Sequence, residues 1–104
     1  MNTQFKKGVL EMIVLLSVRK KDMYGYELVD KISSSIDVND GTIYPLLKRL
    51  TNEKYFETYL IESKEGPSRK YYKLTEFGKT RLEELLTGWE EFNEAINVFV
   101  KENK

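Results

Sequence analysis

The chain has 104 residues, 40 % apolar and 33 % charged, enough for one domain with a small core; two independent cores and overall disorder are excluded. Its 17 basic and 17 acidic residues cancel, so the whole chain lacks the basic excess common in nucleic-acid-binding domains. Cysteine and histidine are absent, which excludes disulfides, thiol nucleophiles, most zinc sites and the usual acid-base residue of neutral pH; no enzyme is expected and no cofactor is implied.

From Phe5 to Lys20 the apolar residues Phe5, Val9, Leu10, Met12, Ile13, Val14, Leu15, Leu16 and Val18 cover nearly the whole circumference of a helix, so this first helix must be buried on more than one side. Its densest part, Val9 to Val18, is interrupted by Glu11 and Ser17 and falls short of the ~20 residues a bilayer needs. With no signal-peptide pattern either, a cytoplasmic location without membrane association is expected.

Tyr24, Leu28, Ile32 and Ile36, spaced by four, predict a second helix that starts just after Asp22 and runs to the polar segment Asp37 to Asp40. A third helix follows, capped by Asn39 or Asp40, with Ile43, Leu46, Leu47 and Leu50 on its inner face. Pro45 conflicts with a helix interior, and the simplest resolution starts the helix near Thr42, with the proline in its first turn.

Residues 55–61 and 69–75 are aromatic and β-branched and flank the turn signal Lys64-Glu65-Gly66-Pro67-Ser68, which predicts a two-stranded hairpin packed against the helices. In the last segment, 76–102, Leu82, Leu85, Trp89, Phe92, Ile96 and Phe99 alternate spacings of three and four, a heptad seam. A helix of this length, ~40 Å, exceeds what a three-helix domain can cover. A homodimer seam is therefore expected over purely intrachain packing.

Three helices followed by a hairpin is the order of a winged helix-turn-helix. The expected fold is mainly α with a small β-hairpin: a winged helix-turn-helix over 1–75 and a long C-terminal dimerisation helix over 76–104. Charge divided along the chain agrees, since 40–75 carries a net +2 while 76–104 carries −3. Exposed charges act over about a Debye length, ~8 Å at physiological salt, so a partner feels the clusters Lys48-Arg49 and Arg69-Lys70 more than the total. Thr42, Tyr44, Lys48 and Arg49 of the third helix would meet double-stranded DNA in the major groove, with Ser68, Arg69 and Lys70 at the hairpin turn against the neighbouring backbone. Tyr44 could equally be packing.

The segments Tyr24-Gly25-Tyr26-Glu27-Leu28, Gly41-Thr42-Ile43-Tyr44-Pro45-Leu46-Leu47-Lys48-Arg49-Leu50 and Gly66-Pro67-Ser68-Arg69-Lys70-Tyr71-Tyr72-Lys73-Leu74-Thr75, followed by Gly78, resemble the motif series of PadR-type transcriptional regulators over roughly residues 5–100. The resemblance is to the short branch with a single C-terminal helix. It implies a cytoplasmic homodimer that represses transcription at a pseudo-palindromic operator and is released by a small molecule or another signal. Trp89 sits where multidrug-binding members carry a tryptophan facing its symmetry mate. Trp89 reads first as a dimer-core residue and second as a ligand platform, two roles that can coexist; for the second, an effector pocket for a planar aromatic molecule is expected between the first and last helices, lined by Ile13, Ser17, Leu86, Trp89, Phe92 and Asn93. The competing reading is a dimeric ligand-binding or protein-docking module that does not bind an operator.

Overall fold

In the computed structural model, which describes residues 3–104 with side chains from Val9 onward, the order is α1 (Thr3–Ser17), β1 (Met23–Tyr24), α2 (Gly25–Ser33), α3 (Asp40–Asn52), β2 (Phe56–Ser63), β3 (Gly66–Leu74) and α4 (Glu76–Glu102). The packing expected of Phe5 lies outside the described residues. The core gathers Val14 and Leu15 of α1, Leu28 of α2, Ile43, Leu47 and Leu50 of α3, Phe56 of β2 and Leu82 of α4. Helix α1 is covered on several sides, as its all-round apolar surface requires. It ends at Ser17 instead of Lys20, where the Ser17 hydroxyl donates back to the Ile13 carbonyl at 2.8 Å.

The second helix is shorter than its four-residue spacing predicts. Met23 and Tyr24 leave the helical pattern to pair with Tyr72 and Tyr71, adding a third strand in the order β1-β3-β2. Gly25 then opens α2 at a point where a Cβ would come within 2.9 Å of the Tyr44 ring, so the glycine lets α2 and α3 approach closely. At the far end Ile36 lies beyond the helix, held in a turn by its N–H to the Ile32 carbonyl.

Helix α3 starts at Asp40 after the cap residue Asn39, which makes Pro45 its sixth residue and not part of a first turn near Thr42. The placement explains why the proline is tolerated. At about 100° per residue Pro45 and Gly41 lie opposite Ile43, Leu47 and Leu50, so the Gly41 carbonyl that loses its intrahelical donor faces outward to solvent. The helix closes with the Tyr55 N–H on the Leu50 carbonyl and the Lys54 N–H on the Thr51 carbonyl, a Schellman motif with Lys54 in the left-handed region at φ 70°.

Strands β2 and β3 are longer than the sequence suggests, and the turn shrinks to Lys64-Glu65 between the paired Ser63 and Gly66. Pro67 is accommodated because β1 pairs only with Tyr71 and Tyr72, leaving this end of β3 as an edge. Thr75 caps α4 by accepting the Gly78 N–H at 2.9 Å. A side chain at Gly78 would collide with the Tyr55 carbonyl, so only glycine lets α4 start beside the sheet. The molecule measures 57 × 28 × 21 Å because α4 runs beyond the body, and every residue after Glu90 is exposed. Among the described residues no helix is long and apolar enough to cross a membrane.

Candidate nucleic-acid interface and interfacial groove

The apolar stripe of α3 decides what the rest of the helix presents. With Ile43, Leu47 and Leu50 buried, Gly41, Pro45, Lys48 and Asn52 form the outward face. Tyr44 lies on the flank toward α2, while Thr42 and Arg49 lie on the opposite flank beside Leu10 and Glu11 of α1. Gly41 and Pro45 keep the centre of the outer face low, and Lys48 stands beside it.

Tyr44 contributes to a cleft of about 350 Å³ whose other walls are Tyr24, Gly25 and Tyr26 at the start of α2 and Lys70 and Tyr72 of β3. This convergence answers the question left open for Tyr44, which packs its ring over Gly25 and still remains exposed. Burial, with a smaller contribution from nearby Tyr44, pushes the Tyr72 phenol above the usual tyrosine value. Tyr26, 68 % exposed, was not singled out from the sequence beyond its place in the Tyr-Gly-Tyr motif. An ammonium, phenol groups and the first N–H groups of a helix in one cleft suit an anionic oxygen ligand.

The wing separates residues that look equivalent in the sequence. Ser68 lies within β3, not at the turn. Arg69 and Lys70 project to opposite faces of the strand, while Ser68 falls in the irregular stretch between the Ile61–Arg69 and Ser63–Gly66 pairs, where the alternation is interrupted. Lys70, opposite Leu60, shares the face of Tyr72 and looks toward α3. Arg69, opposite Ile61, is on the other face with its guanidinium 4.7 Å from the centre of the Tyr24 ring. Behind it Tyr24, Tyr71 and Tyr59 form a ladder with ring separations of 5.6 and 5.5 Å, ended by the Tyr59 hydroxyl donating to Asp22 at 2.6 Å. The turn itself presents Lys64.

Arg49 is also placed differently from Lys48. Its Nη1 donates to Glu53 at 2.7 Å and its Nη2 to Glu11 at 3.1 Å, so its charge is matched within the chain. Glu11 is shared, because Arg81 of α4 donates to its other oxygen through Nε at 3.1 Å and Nη2 at 2.8 Å. Both guanidiniums are held more firmly protonated than a free arginine, Arg49 chiefly through Glu53 and Arg81 chiefly through Glu11. The only trace of this in the sequence is a lone carboxylate inside the apolar run of α1.

The heptad seam divides in two. Leu82 is 1 % exposed and belongs to the core of its own chain, correcting its assignment to a dimer seam. Leu85, Leu86 and Trp89 are half-buried against the same core, whereas Phe92, Ile96 and Phe99 are exposed, Phe99 to 67 %. Between α1 and α4 runs a groove of about 440 Å³ lined by Val9, Met12, Glu84, Leu85, Gly88, Trp89 and Phe92. Of the residues expected around an effector, Trp89 and Phe92 line this groove, and Ile13, Ser17, Leu86 and Asn93 are not among its walls. The α1 wall comes from residues one turn earlier, because a helix apolar all round carries no phase to say which stripe faces the groove. Ser17, expected in the pocket lining, has its hydroxyl donating to the Ile13 carbonyl.

Residues 14–84 match the transcriptional regulator PadR-like family. A PadR-like transcriptional regulator of Bacillus cereus is 39 % identical and superposes with a TM-score of 0.85 over 94 % of this chain and 97 % of its own. A PadR-like transcription factor of Bacteroides fragilis is 40 % identical, with a TM-score of 0.79 over 93 % and 95 % of the two chains. Bacillus subtilis PadR, whose structure is of a complex with operator DNA, is 28 % identical, with a TM-score of 0.68 over 75 % of this chain and 46 % of that one.

Proposed function

Since the chain belongs to the PadR-like family of transcriptional regulators, we propose that it is a repressor that binds a pseudo-palindromic operator as a homodimer joined through α4. The observation that carries this reading is the grouping of Lys48 on the outer face of α3 with the cleft of Tyr26, Tyr44 and Lys70 beside it. A helix whose centre is kept low by Gly41 and Pro45 enters the major groove, with Lys48 and Thr42 at its rims. The cleft seats a backbone phosphate, Ser68 and Lys70 follow the strand past it, and Lys64 at the wing tip reaches the adjacent backbone. Arg69, held over Tyr24 on the far face of the wing, has the weakest claim to a DNA contact among the wing residues.

The dimer follows from α4. Phe92, Ile96 and Phe99 continue the heptad seam past the point where α1 can cover it, and a second copy supplies the missing wall. In the same dimer the α1–α4 groove, apolar except for Glu84 and carrying Trp89, takes a planar aromatic effector. Its binding relieves repression by changing the separation of the two α3 helices, which half-sites one DNA turn apart hold near ~34 Å.

The test is fluorescence anisotropy with a labelled duplex from the region upstream of the chain's own gene, with Trp89 emission followed in parallel. Salt-sensitive, saturable binding by a dimer, and planar aromatic compounds that release DNA while quenching Trp89, are expected. A dimer that quenches with such compounds but ignores the duplex would instead be a ligand-binding module without operator function.

A further inference from the structure

We propose that Glu11 is a positioning residue for DNA binding, a clamp whose one carboxylate fixes recognition helix α3 to dimerisation helix α4 through Arg49 and Arg81. This rests on the operator-binding reading above. The Glu11 side chain is 14 % exposed and each of its oxygens has a different arginine, Oε1 taking Arg49 and Oε2 taking Arg81. The three residues come from α1, α3 and α4, separated in sequence by 38 and 70 positions, and they meet at one point.

Helix α3 packs through its apolar stripe on α2 and the start of β2, which sets which face turns outward, and contacts on its two flanks take up the play that this packing leaves. On one flank Tyr44 rests over Gly25, and on the other Arg49 reaches Glu11. The clamp thus narrows the range of angles at which Lys48 leaves the protein surface. It also ties that angle to α4, since Arg81 lies one turn from Leu85 and Glu84 of the groove wall and is 3.8 Å from the Glu84 carboxylate. Arg49, with both terminal nitrogens held by carboxylates, brings no unmatched positive charge to DNA. Three carboxylates and two guanidiniums leave the cluster slightly acidic, unlike a phosphate contact.

Salt dependence separates positioning from contact, because each phosphate contact adds about 0.9 to the slope of log affinity against log salt whereas positioning adds nothing. The full-length chain and its variants are titrated with the upstream duplex at several salt concentrations, with helix content and thermal unfolding recorded for each. Glu11→Gln and Arg81→Gln are each expected to weaken binding about tenfold with the slope unchanged, and Arg49→Gln to do the same. Lys48→Gln should lower the slope by about 2 for the dimer. If Glu11→Gln fails to fold, Arg81→Lys, which keeps the charge and loses the two-pronged bond, carries the test with the same expectation. Parent-like or tighter binding by a folded Glu11→Gln, or a slope reduced by about 2 in Arg49→Gln, overturns the clamp while leaving operator binding intact. A parent chain that binds no duplex overturns both.

Discussion

The Thr75 hydroxyl donates to the Lys54 carbonyl oxygen at 2.7 Å, while the hydroxyl's own oxygen accepts the Gly78 N–H at 2.9 Å. One side chain therefore joins the end of α3 to the start of α4. Thr75→Ala loses both bonds and should lower unfolding free energy by about 1 kcal/mol, with Thr75→Ser close to the parent. Urea denaturation compares them. An alanine variant as stable as the parent would show that the cap carries no weight.

Lys54, on the other side of that bond, holds a conformation that costs a residue with a Cβ roughly 1 kcal/mol. Lys54→Gly should raise stability by up to about 1 kcal/mol, reduced by the larger chain entropy that glycine brings to the unfolded state. A drop in the urea midpoint would contradict the assignment of strain to this position.

How much of this could be read beforehand depended on whether the signal was local. Ile43, Leu47 and Leu50 lie within two turns of one helix, so their periodicity identified the buried face of α3 and, by subtraction, Lys48 on the outside. Arg49 sits next to Lys48 in the sequence; its i,i+4 neighbour Glu53 was legible as a local partner, but its second partner Glu11 is 38 residues away and no local pattern predicts it. Strand β1 escaped because two residues have no period, and its existence depends on Tyr71 and Tyr72. Ser68 reads as part of a turn because it follows Gly66-Pro67, although a missing second neighbour makes that proline harmless in the strand. The heptad of α4 was legible as a pattern, but Leu82 and Phe99 occupy the same seam and the pattern does not tell the buried one, 1 % exposed, from the exposed one, 67 %.

The outer face of the wing makes a pH prediction. The Tyr59 hydroxyl is pushed up to about 12, first by its hydrogen bond to Asp22 and then by desolvation and the carboxylate charge. A raised value means the folded state holds this proton more tightly. Its contribution to stability is therefore complete below the ordinary tyrosine value near 10 and is lost as pH rises through 12. Near-ultraviolet titration should find one late tyrosine that Asp22→Asn returns toward the ordinary value. The same late titration in Asp22→Asn would separate Tyr59 from Asp22.

The unpartnered half of α4 makes another. Phe99 is exposed and lies on the seam, far from the core of its own chain. Phe99→Glu should shift the chain from dimer to monomer in light scattering, with little change in the helix content of the body. Dimers that persist in a variant carrying both Phe92→Glu and Phe99→Glu would place the subunit contact elsewhere.

The central claim is that the Lys48 face of α3 and the Lys70 face of the wing are one DNA-binding surface. It is tested most directly by the affinity of the Lys48→Glu, Lys70→Glu double variant for the upstream duplex, measured beside an Arg69→Glu single variant. Both lysines are exposed, so the folded dimer should survive. The account predicts that the double variant loses measurable binding while Arg69→Glu, directed to the opposite face, retains most of it. A folded double variant with parental affinity, or Arg69→Glu as the more damaging change, would contradict it.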